Sequence, residues 1–288
     1  MLIRGEGFVL ISVLQLGTID YATGLQLQQR LVDLRKEGRI GDVVLLLEHT
    51  PVITLGRNAK AANIIAPADQ LAARGVEVFE SDRGGDVTFH GPGQLVGYPI
   101  FDLRSMNSTE GPRKTLGAVE YVRRLEEVLI GACADFGIPA KRIPGLTGVW
   151  SAPEHVGTAA LGCPGESETR RPNTDREAKL AAIGVHISRG VTSHGFALNV
   201  NVDLSYFDLI IPCGITSKPV TSMARELNRE VVLQAVAHSV SSHFGVVFQS
   251  QMLWLESLDD LLATAVGVPM RVPTELRQLH NEEDTYWG

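Results

Sequence analysis

The hydrophobic pattern divides the chain into short apolar runs separated by glycine- and polar-rich links. Val9 to Leu16 reads as a strand. Asp20 is a helix cap, and the helix it opens runs to about Lys36 with Leu27, Leu31 and Leu34 on one face. Asp42 to Glu48 holds five consecutive branched apolar residues, Val43 to Leu47, and reads as a strand buried on both faces. Pro67 to Arg74 predicts a short helix, and Val76 to Glu80 another strand. Arg113 to Phe136 predicts a long helix with Val122, Leu129, Cys133 and Phe136 on its apolar stripe. Leu146 to Trp150 predicts a strand. Lys179 to Ile187 and Ser193 to Val202 predict a hairpin about Ser188-Arg189-Gly190, and Asn228 to Phe244 a helix.

Two stretches break this rhythm. Arg83 to Gly97 is dense in glycine, interleaved with Arg83, Thr88, His90 and Gln94, and reads as a loop between strands. Ser151 to Glu177 has no periodicity and is rich in Gly, Pro, Glu, Thr and Arg, the composition of a flexible insertion. Strands outnumber helices and short links join many of them. The fold class expected is therefore α+β, with a mixed, largely antiparallel sheet packed by helices, not a doubly wound parallel fold. Residues 1–250 are expected to form one catalytic domain interrupted by the insertion at 151–178. Residues 251–288, patterned more weakly, are expected to be a C-terminal extension.

Composition narrows the function. The 288 residues carry 26 basic and 33 acidic side chains, a net charge of -7, which gives no basic footprint for nonspecific nucleic-acid binding. No apolar run is long enough to span a bilayer, and the first residues lack the build of a signal peptide. The three cysteines, Cys133, Cys163 and Cys213, form neither a disulfide framework nor a CxxC zinc pattern. A cytoplasmic protein without metal is expected.

Nucleophilic chemistry has a candidate in Cys213, between Pro212 and Gly214 on a turn. By residue type alone, Cys213 is either a nucleophile or a small buried apolar side chain. Cys133 falls on a helical stripe and reads as core, and Cys163 falls in the insertion. A reactive thiol needs a group that favours the thiolate. His49, His90, His186 and His194 are possible partners. So is Lys179, which otherwise reads as a solvated residue at a strand end. The Arg83–Gln94 segment has neither the spacing of a Walker loop nor that of a dinucleotide fingerprint. Its paired glycines with Thr88, His90 and Gln94 suit a ligand cradle.

Taken together, these motifs resemble those of the lipoyl(octanoyl) transferase family. The segment Arg83-Gly84-Gly85-Asp86-Val87-Thr88-Phe89-His90-Gly91-Pro92-Gly93-Gln94 is similar to its glycine-rich signature. Glu48-His49-Thr50-Pro51 followed by Thr54-Leu55-Gly56, the Gly148-Val149-Trp150 strand and the Lys179–Val185 lysine motif also resemble it. So do His194-Gly195-Phe196-Ala197-Leu198-Asn199-Val200 and the Pro212-Cys213-Gly214-Ile215 turn. These matches lie in family order over roughly residues 10 to 225.

The resemblance implies a fold shared with biotin and lipoate protein ligases. It makes Cys213 the acyl-thioester nucleophile and Lys179 the residue that lowers its pKa. Arg83, Gly84, Gly85, Asp86, Val87, Thr88, Phe89 and His90, together with Ala182, Ile183, Gly184, Gly195, Phe196 and Ala197, would line the acyl site. His49, Gln94, His194 and Asn199 would support it. The implied donor is octanoyl-acyl carrier protein. The implied acceptors are lipoyl domains and the glycine cleavage H protein. No ATP or other cofactor is implied, and the protein is expected to be a monomer. Three alternatives remain: an ATP-dependent ligase of the same fold, a non-catalytic binding module, and a cysteine hydrolase using His194.

Overall fold

The computed structural model describes residues 9–108, 115–152, 177–212 and 218–263. Strand β1 (Val9–Ile19) leads through the Asp20 cap, whose carboxylate accepts from the Thr23 amide at 2.8 Å, into helix α1 (Tyr21–Lys36). The apolar run becomes strand β2 (Asp42–His49), and β3 (Val52–Leu55), helix α2 (Ala68–Ala73) and β4 (Glu77–Glu80) follow. Strands β5 (Val87–His90) and β6 (Gln94–Ile100) come next, then helix α3 (Ala118–Asp135), β7 (Ala140–Ile143) and β8 (Leu146–Ser151). The hairpin β9 (Lys179–Ser188) and β10 (Val191–Asn199) turns through Arg189 and Gly190, both at positive φ. Helices α4 (Met223–Leu227) and α5 (Leu233–Phe248), strand β11 (Ser250–Leu255) and helix α6 (Leu258–Ala263) complete the described chain.

Eight strands form one sheet in the order β11-β1-β2-β6-β10-β9-β8-β7, and β4-β3-β5 form a second. Among the pairs of described strands only β1–β11, β1–β2 and β3–β4 are parallel, so the expected mixed, largely antiparallel α+β architecture is what the chain adopts. The β2 run is apolar throughout because both faces are covered. Val43, Leu45 and Leu47 face one core with Leu27, Leu31 and Leu34 of α1. Val44 and Leu46 face the other, with Leu125 and Leu129 of α3 and Val236, Val240 and Phe244 of α5. The small sheet packs a third core around Phe89, Phe207 and Ile53.

Several expectations are corrected. Arg83 to Gly97 is not a single loop: Val87–His90 and the start of β6 are strands, because Val87 and Phe89 bury one face in the third core. Helix α3 begins at Ala118, later than expected. Asn228 lies outside the α5 helix, as the left-handed C-cap of α4 (φ 50°). The boundary set at residue 250 falls at the start of β11, which pairs with β1 over Val9–Leu14. At 151–178, the Ser151 amide donates to the Ala178 carbonyl at 2.8 Å, so the chain on either side of the insertion is joined in the ladder. Residues 153–176, including Cys163, lie outside the described residues.

Candidate active site

One pocket, with about 480 Å³ of space that is partly open solvent, lies where the small sheet and the start of α1 face β6, β9 and β10. Arg83, Gly84, Gly85, Asp86, Thr88, His90, Ala182, Ile183, Gly184, Gly195, Phe196 and Ala197 all line it. Val87 and Phe89 do not: strand alternation turns them into the third core. Sequence reading missed Tyr21, Val96 and Tyr98 in the wall. Tyr21 opens α1 and stacks on His90 with rings 5° from parallel, a tertiary contact that no local pattern announces.

Arg83 is a frame for the pocket. It is buried, and its guanidinium donates to Thr54 Oγ1, to the Thr54 and Asp86 carbonyls at 2.7 and 2.8 Å, and to the Gly84 carbonyl at 3.0 Å. The Gly84 amide donates to the Val185 carbonyl, which brings the glycine loop against β9. A Cβ on Gly184 would lie 2.6 Å from the Gly84 carbonyl oxygen, so this crossing requires glycine.

A buried chain of side chains runs from the pocket toward Lys179. His90 Nδ1 meets Gln94 Oε1 at 2.7 Å. Gln94 Nε2 donates to the Phe89 carbonyl and to Asn199 Oδ1, and Asn199 Nδ2 donates to the Thr221 carbonyl at 2.9 Å. The Thr221 amide in turn donates to the Lys179 carbonyl. The orientation is forced. Asn199 Nδ2 faces a carbonyl, so its oxygen faces Gln94, and Gln94 presents its own oxygen to His90. His90 therefore carries its proton on Nδ1. Burial, with the nearby His49 and Arg83, lowers its pKa to about 3.

The other three candidate histidines also have partners. His49 Nδ1 donates to the Ile19 carbonyl at 3.0 Å, so Nε2 accepts from the Tyr98 hydroxyl at 2.6 Å, and burial lowers its pKa to about 4. His194, in the left-handed region at φ 54°, places Nε2 2.7 Å from Asp82 Oδ1. Asp82 also meets His186 Nδ1, whose Nε2 faces Arg57 at 3.0 Å.

Lys179 begins β9, three residues and about 10 Å of strand from Ala182. Its side chain is buried, with Nζ 4.8 Å from the centroid of the Trp150 ring, its cross-strand partner. Its amide donates to the Pro219 carbonyl and its carbonyl accepts from the Thr221 amide, so the segment 219–221 runs alongside Lys179. The Ile211 amide donates to the Asn63 carbonyl. Cys213 itself lies outside the described residues. Lys141 and Lys218 share Glu177, and their hydrogen bonds lower its pKa to about 2. Cys133 is sealed in the α3–α5 core, where burial pushes its thiol to about 12. Among the described residues no cluster of three metal-ligating side chains occurs, and no helix is long and apolar enough to cross a membrane.

Two layers of helix on a mixed sheet, with an apolar pocket framed by a glycine loop, are an architecture shared with solved lipoate protein ligases. A bipartite lipoate protein ligase from Thermoplasma acidophilum superposes with a TM-score of 0.61, covering 94% of this chain and 90% of that one at 14% identity. A lipoate-protein ligase A bound with ATP gives 0.59, covering 94% and 92% at 14% identity. The sequence matches the lipoyl protein ligase A/B catalytic domain over residues 20–245, and the chain belongs to that family. Among its relatives, an octanoyltransferase of Koribacter versatilis is 57% identical over 97% of this chain and 100% of its own length. Another, of Acidobacterium capsulatum, is 54% identical over 88% and 96%.

Proposed function

We propose that the protein is an acyltransferase that carries an octanoyl group to the lysine of a lipoyl domain, in the service of protein lipoylation. The donor in this reading is octanoyl-acyl carrier protein, and the glycine cleavage H protein is among the acceptors. Cys213 is the nucleophile and Lys179 its proton partner. The observation that carries the reading is the position of Lys179. Its amine is buried at the head of the strand whose next residues line the pocket, and its backbone pairs with Pro219 and Thr221, a few residues after Cys213 in the chain.

In the first half-reaction the Cys213 thiolate attacks the thioester carbonyl. The carrier thiolate leaves, taking a proton from the Lys179 ammonium, and a protein thioester remains. In the second, neutral Lys179 takes a proton from the incoming lysine amine, which attacks the protein thioester. An amide forms and the Cys213 thiolate is released. One thioester replaces another, so the first exchange is nearly balanced and ATP is not needed. Burying the acyl chain among Ala182, Ile183, Gly184, Phe196 and Ala197 contributes about 0.8 kcal/mol per CH₂. The ring nitrogens of His49, His90 and His186 are occupied, as is Nε2 of His194, which argues for lysine over a Cys–His hydrolase.

Intact-mass spectrometry after incubation with octanoyl-acyl carrier protein is expected to show one added octanoyl group, discharged by a lipoyl domain. Cys213→Ser is expected to show none. An unmodified wild-type mass under conditions that octanoylate the acceptor refutes the covalent scheme. Transfer that requires ATP and free octanoate would identify a ligase instead.

A further inference from the structure

We propose that Glu126, a buried carboxylate on α3, is a positioning residue that sets the place of Lys179. This rests on the assignment of Lys179 as the proton partner of Cys213. Pairing between β8 and β9 is irregular: Val149 faces Ala181, whereas Trp150 faces Lys179, which leaves Leu180 as an extra residue on β9. Such a bulge reverses the alternation, so that Leu180 and Ala181 both enter the same core. Lys179 is thereby paired with Trp150 and its ammonium lies over the indole ring.

The bulge depends on Gly148. That residue sits at φ 123°, and a Cβ there would lie 2.5 Å from the Ala181 carbonyl oxygen and 3.6 Å from Lys179 Cε. Its amide donates to Glu126 Oε1 at 3.1 Å, and Arg142 Nε donates to Glu126 Oε2 at 3.0 Å. Arg142 also binds the Arg123 carbonyl and Glu127, so the carboxylate is held from outside. Glu126 thus fastens the β8 backbone in the conformation that leaves room for the lysine. Without its carboxylate, the Gly148 amide loses a charged acceptor and the bulge can slip, displacing Lys179 from its place over Trp150.

The test is the pH dependence of Cys213 alkylation, read by mass spectrometry beside steady-state octanoyl transfer, in the wild type, Glu126→Gln, Glu126→Ala and Lys179→Ala. Glu126→Ala is expected to raise the pH at which the thiol becomes reactive. It should also lower kcat roughly tenfold or more with little change in KM for the acyl donor, the cost of a small misplacement. Glu126→Gln retains an acceptor for Gly148 and the side-chain shape, so it should fold and show a smaller shift in the same direction. If both Glu126 variants keep the wild-type alkylation profile while Lys179→Ala shifts it, the proposal is overturned and the Lys179 assignment survives. If Lys179→Ala leaves the profile unchanged, the assignment itself falls. Should Glu126→Ala not fold, the Gln variant decides alone: a wild-type profile overturns the proposal.

Discussion

Replacing Gln94 with Leu tests whether the buried relay between the pocket and β9 is a structural tie. The substitution nearly conserves volume, so cavity formation contributes little. It removes one acceptor and two donors at once. The His90 Nδ1–H loses its 2.7 Å partner, Asn199 Oδ1 loses its 2.9 Å donor, and the Phe89 carbonyl loses a 3.2 Å donor. Gln94, His90 and Asn199 are all buried, so water does not readily replace these bonds. Leaving a buried polar group unsatisfied costs about 1–3 kcal/mol. Two orphaned side chains and a weakened carbonyl contact therefore imply a loss of about 3–6 kcal/mol. That is a large share of the roughly 5–15 kcal/mol by which domains are stable. Urea unfolding followed by circular dichroism measures the loss, with the slope of the transition checking that both variants unfold alike. Because Asn199 then holds the Thr221 carbonyl less firmly, transfer should fall along with stability. A loss below about 1 kcal/mol at an unchanged slope, on the scale of a single exposed bond, would refute the reading of the relay as a buried structural tie.

Acid should destabilise the fold before the carboxylates titrate. Burial lowers His49 to about 4 and His90 to about 3 in the fold, whereas an unfolded histidine titrates near its ordinary 6.5. The unfolded chain therefore binds more protons below 6.5, and stability present above that pH is lost as pH falls. The slope approaches about 1.4 kcal/mol per pH unit for each histidine. Stability that stays flat from pH 6.5 to 4.5 in denaturant titrations would contradict this. Cys133→Ala should leave acyl loading intact, cost on the order of 1 kcal/mol, and remove no reactivity toward iodoacetamide at neutral pH, because burial holds that thiol protonated. Gly184→Ala should destabilise by about 1–3 kcal/mol, because its Cβ would meet a backbone oxygen at 2.6 Å, and should raise KM for the acyl donor by displacing the glycine loop. Wild-type stability and KM together would contradict that crossing.

The sequence by itself determined what depends on neighbours in the chain. The β2 run was legible because five branched apolar residues suit only a doubly covered strand, and α1 because its leucines recur on one face below an Asp cap. The β9–β10 hairpin was legible from Arg189-Gly190, and the pocket's composition from the glycine-dense segment and the paired motifs. Tertiary structure decided the rest. Strands β7 and β11 are short or weakly patterned and exist because an edge was there to pair with, and the short β3 is held between β4 and β5; β11 follows β1 in space although 230 residues part Ile19 from Ser250 in sequence. The role of each histidine depended on partners such as Tyr98, 49 residues from His49, and Asp82, 112 from His194. Tyr21 entered the pocket, and Glu126 reached the bulge beneath Lys179, by packing alone. Hydrogen bonds and burial act through space, whereas periodicity carries only what lies within one or two turns of the same element.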